Sequence, residues 1–130
     1  MSIIKSADIE KELSKLTPLK GRTANTSDEK SDAAFAMLAP FDRGGVFTGS
    51  FSGESPWERH TAGDELVHIL KGESELIILT PDGEEILKLK GGMVTVVPKG
   101  LWHRFIAPNG VTVLTATPHP TDHSDSIYPD

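Results

Sequence analysis

The sequence predicts an all-β protein, an antiparallel barrel preceded by a short helix, on three observations. From residue 33 to residue 117 the chain is a series of short β-prone runs, parted by Pro81-Asp82-Gly83, Gly91-Gly92 and Pro108-Asn109-Gly110. No long helical period interrupts them. The third observation is long-range: Glu58-x-His60, then Glu65, then His103 nearly forty residues later. These are metal-ligand side chains, and a barrel of antiparallel strands is a fold that readily brings such distant positions together.

Residues 6–16 carry Ile9, Leu13 and Leu16 on one helical face with Ser6 placed to cap, which predicts a short amphipathic helix lying on the main body. Residues 21–32 are polar and read as a connecting loop. Strands are predicted at 33–38, 45–51, 66–70, 75–79, 85–89, 93–97, 102–106 and 111–117. Pro118 to Asp130 combines prolines, histidines and acids without an apolar period, which reads as an extended arm or a loose tail. The expected organisation is one domain, with an N-terminal arm over 1–32, the barrel over 33–117 and a C-terminal arm over 118–130.

At 130 residues the chain is long enough for one hydrophobic core. A net charge of −6 with scattered basic residues argues against a nucleic-acid surface and against anionic membranes. The absence of cysteine excludes disulfides and thiolate ligands, leaving any metal site to histidine and carboxylate. Met1-Ser2-Ile3-Ile4-Lys5 has no apolar stretch of signal-peptide length, and no run approaches the roughly 18 apolar residues of a membrane span. A cytoplasmic protein is expected.

If the segment around Glu58 is a strand, Glu58 and His60 share a face while Arg59 points away. A tight turn with Gly63 then returns Glu65 on the neighbouring strand. Glu58, His60, Glu65 and His103 form a candidate ligand set for one divalent ion, with iron, manganese, zinc or nickel suited to mixed nitrogen and oxygen donors. If Glu58 is not a ligand, it is the natural general base, and two histidines and a carboxylate remain around an ion with open positions. Alternation places Val67 and Ile69 with Glu65, and Phe105 with His103, as pocket-lining candidates. His68, Trp102 and Arg104 face outward, and His119 and His123 read as surface residues of the arm, kept as minor candidates for covering a barrel mouth. Because alternation supplies no cation inside, a small neutral or metal-chelating ligand is favoured over a strongly anionic one.

The spacing resembles the cupin superfamily. His60, four residues, Glu65, six residues and Gly72 match the second part of its first motif, and Gly92, five residues, Pro98, Gly100, two residues and His103 match its second. The chain departs in having Glu58 where the first histidine stands, Gly53 one residue too close, and Ala107 for the final asparagine. The resemblance spans residues 53–107 and implies a small single-domain cupin of the jelly-roll or double-stranded β-helix type. It also implies a mononuclear metal site and a homodimer paired through outer strands, with Leu66 and Leu70 as outward apolar positions. The expected function is a metal-dependent enzyme of dioxygenase, isomerase or lyase type acting on a small oxygen-containing molecule. The alternatives are a non-catalytic binding or sensing module and a metal-free structural barrel.

Overall fold

The computed structural model describes Ile4 and residues 6–130, so most of the segment that bears on a signal peptide lies outside the described residues. Helix α1 (Ile9–Ser14) is capped by Asp8 rather than Ser6. The Asp8 carboxylate accepts from the Lys11 amide at 3.1 Å, satisfying an amide that the helix leaves open. Ile9, Leu13 and Leu16 are half-buried, as their common face requires.

The polar stretch read as a loop is structured. It contains the end of strand β1 (Leu19–Arg22) and helix α2 (Asp28–Ala34), capped by Ser27. Neither element has an amphipathic period long enough to announce itself, since each buries one apolar residue, Leu19 and Ala34. Strand β1 runs parallel to β3 (Gly44–Glu54), pairing Leu19 with Phe51 and Arg22 with Gly53. Gly53 has φ 101°, and a Cβ there would collide with the Arg22 backbone, so the close crossing requires glycine.

Strand β2 (Phe35–Phe41) forms a hairpin with β3. Strand β4 (Trp57–His60) is followed by β5 (Glu65–Thr80), β6 (Gly83–Lys90), β7 (Val94–Val97), β8 (His103–Pro118) and β9 (Thr121–Ser124). The predicted pairs of runs at 66–70 and 75–79, and at 102–106 and 111–117, are each one bent strand. Gly72 adopts φ 77° at the bend of β5, and a Cβ there would strike the Gly110 carbonyl of β8. The ladder shifts register on both sides of this point, which curls the sheet.

Strand β8 pairs with β3, β5 and β4, while β5 also carries β6 and β7. The curled sheet closes around Phe51, Val67, Ile69, Leu76, Phe105 and Val113, all buried. Leu66, Val94 and Val96 are exposed on the outer face of β5 and β7, where Leu66 pairs with Val96. The C-terminal stretch is an ordered arm, because β9 pairs residue by residue with β4. Among the described residues, no helix is long and apolar enough to cross a membrane.

Candidate metal centre

His60 ends β4, Glu65 begins β5 and His103 begins β8. These residues are 3%, 6% and 1% exposed, and their ligand atoms all lie within 4.8 Å of one another. Glu65 stands between the two imidazoles, with Oε1 3.1 Å from His103 Nε2 and Oε2 3.4 Å from His60 Nε2. Donors held about 2.1 Å from one ion stand about 3.0–3.4 Å apart in octahedral or tetrahedral arrangements, so these separations already suit a shared cation.

Hydrogen bonding behind the rings supports that fit. His103 Nδ1 lies 3.0 Å from the Leu101 carbonyl, which can only accept, so Nδ1 carries the proton. Its Nε2, facing a carboxylate, must then hold a second proton or meet a cation. On His60, Nδ1 is 2.9 Å from Thr121 Oγ1, while Nε2 is buried without a hydrogen-bond partner. An orphaned buried nitrogen costs about 1–3 kcal/mol, and a divalent ion bound by its lone pair removes that cost. Thr117 Oγ1 donates to Glu65 Oε2 at 2.6 Å and fixes the carboxylate from the other side.

Burial pushes the Glu65 carboxyl up, but the hydrogen bond to His103 and the nearby imidazole of His60 outweigh it and bring it to about 2. Burial likewise pushes His103 down, and its contact with Glu65 reverses this, leaving His103 above its ordinary value. The signs follow. In metal-free protein the Glu65 contribution is complete above 4.5 and fades as pH falls toward about 2. The His103 contribution is complete below 6.5 and fades as pH rises through its raised value. Metal-free protein should therefore be most stable between pH 4.5 and 6.5 in thermal unfolding with chelator present. With metal replacing the second His103 proton, metal affinity should rise by up to about tenfold per pH unit until the raised His103 value is passed, and metal-bound protein should level off above 6.5 where metal-free protein loses stability. Identical slopes with and without metal would contradict this arrangement.

Glu58 pairs with His103 across β4 and β8 and with His123 across β4 and β9, and it lines the same cavity as Glu65. It lies outside the group of three. His123 Nε2 is 3.5 Å from its carboxylate. Burial pushes the Glu58 carboxyl up, and His123, Arg22 and His103 together bring it below the usual carboxylate range, against the repulsion of Glu65.

The cavity measures about 200 Å³ and is walled by Phe47, Phe51, Phe105 and Thr115 among others. Phe105 therefore lines it, whereas Val67 and Ile69 are fully buried in the hydrophobic cluster beneath. The expectation of no interior cation needs correction: Arg22 reaches the cavity wall from β1, a strand that alternation along the barrel could not reveal. Both arm histidines also bear on the site. His119 lines the cavity, edge-on to Phe47 at 5.6 Å, and His123 meets Glu58. Thr121 and Thr117, which carried no sequence signal, hold His60 and Glu65. Outward-facing Trp102 and Arg104 play no part in the cavity. Arg59 covers the Trp102 ring at 4.5 Å, and Arg104 covers Trp57 at 4.9 Å.

A curled antiparallel sheet with two histidines and a glutamate converging from the ends of its strands defines a class of protein. The chain belongs to the cupin family, whose domain model matches residues 51–116. No curated protein sequence matches it. Among solved structures it is similar to a Neisseria meningitidis protein, at 15% identity and TM-score 0.63, covering 92% of this chain and 100% of that one. It is also similar to a hydroquinone 1,2-dioxygenase solved with Cd2+ and 4-hydroxybenzonitrile, at 22% identity and TM-score 0.56, covering 65% and 63%. A third similarity is to Bacillus subtilis oxalate decarboxylase, described with Mn(II) centres, at 12% identity and TM-score 0.55, covering 60% of this chain and 23% of that one. At these identities the likeness concerns the fold.

Proposed function

We propose that this cupin is a metal-dependent enzyme acting on a small oxygen-bearing organic molecule, with His60, Glu65 and His103 as the metal ligands and Glu58 as the proton acceptor. The observation that carries this reading is the buried, unpartnered His60 Nε2 beside Glu65, whose carboxylate also meets His103 and lines a cavity of about 200 Å³. A bound iron, manganese, zinc or nickel ion would polarise an oxygen donor of the substrate. The protein's own residues do the rest. Phe47, Phe51 and Phe105 exclude water, which strengthens every charge interaction in the cavity. Glu58, depressed below the carboxylate range, is ionised at neutral pH and free to take a proton. Because that also makes it a weak base, it suits a substrate proton acidified by coordination. His123, from the arm, sets the direction of the Glu58 carboxylate and offers a route for the proton toward solvent.

Dioxygenase, isomerase and lyase chemistries all begin from such a chelated oxygen donor. The test is turnover and oxygen uptake by protein loaded in turn with iron(II), manganese(II), zinc and nickel(II), against enediols, diketones and small oxo acids. Glu58→Gln should keep its metal and lose about 100- to 10,000-fold in kcat. Loss of metal in that variant would make Glu58 a ligand. Silence of every metal form toward every compound would favour a binding module over an enzyme.

A further inference from the structure

We propose that Arg22 receives an anionic group of the ligand, so that the site takes a small organic monocarboxylate bearing a second oxygen donor. This deepens the metal-enzyme reading and rests on it. Arg22 is the last residue of β1, held across Gly53, where no side chain larger than hydrogen fits against its backbone. Its guanidinium lies 4.8 Å from the Phe51 ring centroid and 5.3 Å from that of Phe35, so the planar group is stacked and oriented. Its Nε is buried and has no hydrogen-bond partner, and among the described residues no carboxylate lies within 4.0 Å to pair with it. A stacked arginine with an unmet donor is poised for an acceptor that the protein does not supply. A carboxylate matches the fork of the guanidinium in shape and charge.

Charge points the same way. A divalent ion balances the two cavity carboxylates, Glu58 and Glu65, and with neutral histidines the charge of Arg22 is left for the ligand. One negative charge completes the balance. The surroundings of the cavity limit the ligand further. Arg22 and Phe35 stand on the wall of both the inner cavity and a larger outer one of about 620 Å³, so they form the partition between them. Asp28, Asp32 and Asp125 line the outer cavity and repel anions in proportion to their charge. A dianion such as a phosphate ester is therefore disfavoured about twice as much as a monocarboxylate, which Arg22 must then attract. An inner volume of about 200 Å³, below the roughly 300–1,000 Å³ of drug-sized pockets, restricts the ligand to a few non-hydrogen atoms.

The test compares lactate and pyruvate with their neutral amides, and with inorganic phosphate, by calorimetry on the metal-loaded 130-residue chain. Metal content is measured in the same samples. The carboxylates should bind roughly 10- to 100-fold more tightly than the amides. Arg22→Met should erase that difference while keeping its metal and its unfolding temperature within a few degrees, and Arg22→Lys should restore part of it. Equal binding of acids and amides, unchanged carboxylate affinity in Arg22→Met, or preference for phosphate would overturn the proposal with the metal reading intact. Metal-free wild-type protein that no ion can load would instead sink the metal reading. In that case carboxylate-dependent thermal stabilisation, lost in Arg22→Met, still decides the role of Arg22.

Discussion

Replacing His103 by alanine is expected to abolish stable metal binding and to destabilise the metal-free protein at the same time. His103 is 1% exposed and faces a carboxylate whose other neighbours are a threonine hydroxyl and His60. Removing a ligand should weaken metal affinity by more than the roughly 10- to 100-fold typical of losing an outer hydrogen-bond partner. Removing one member of a buried ion pair also strands the other, at about 3–5 kcal/mol. Glu65→Gln separates the two effects. It loses metal as His103→Ala does, but leaves no uncompensated charge, and the amide that replaces the carboxylate can still hydrogen-bond to the imidazoles and Thr117. Elemental analysis and urea unfolding with chelator measure both quantities. One equivalent of metal retained in His103→Ala would remove it from the ligand set.

The second large effect is expected from the C-terminal arm, whose β9 lies along β4 and sets His60. Thr121 pairs with His60 in the ladder and meets its Nδ1 at 2.9 Å, which holds Nε2 toward Glu65. The arm is fastened independently of that contact. Arg59 Nε donates to Asp122 Oδ2 at 2.9 Å, Trp57 Nε1 donates to the Ile127 carbonyl at 3.1 Å, and Trp102 Nε1 donates to the main-chain oxygen of Asp130 at 2.9 Å. Thr121→Val should therefore keep the fold and weaken metal binding about 10- to 100-fold. A chain ending at Pro118 should lose more, since His60 loses its partner, β4 keeps only its bridge to β8 and Glu58 loses His123. Competition titration with a chromogenic chelator reads both variants. Metal affinity unchanged in Thr121→Val would mean that packing alone orients the ring.

Much of the fold was legible because strand alternation and turn residues are local signals. Val67 and Ile69 fall on the buried side of β5 with Glu65, and Leu66 falls on the exposed side, as a period of two requires. The bends joining the paired runs into β5 and β8 were not legible, since Gly72 and Gly110 read equally well as turns. Strand β1 and helix α2 escaped because four or seven residues with one buried side chain carry no period. The arm escaped for a related reason: β9 has no buried residue, and its order comes from β4 and from two tryptophans distant in sequence.

The sequence by itself determined which side chains share a face and singled out Glu58, His60, Glu65 and His103 as one candidate ligand set. That follows from spacing, which the covalent chain enforces over a few residues. Only the tertiary structure decided that His60, Glu65 and His103 converge while Glu58 stands aside with His123, and that Arg22 reaches the cavity from β1, a strand ahead of the predicted barrel residues. Those outcomes depend on register, bend and crossing between segments tens of residues apart, where contacts are set by packing of the whole sheet rather than by any local pattern.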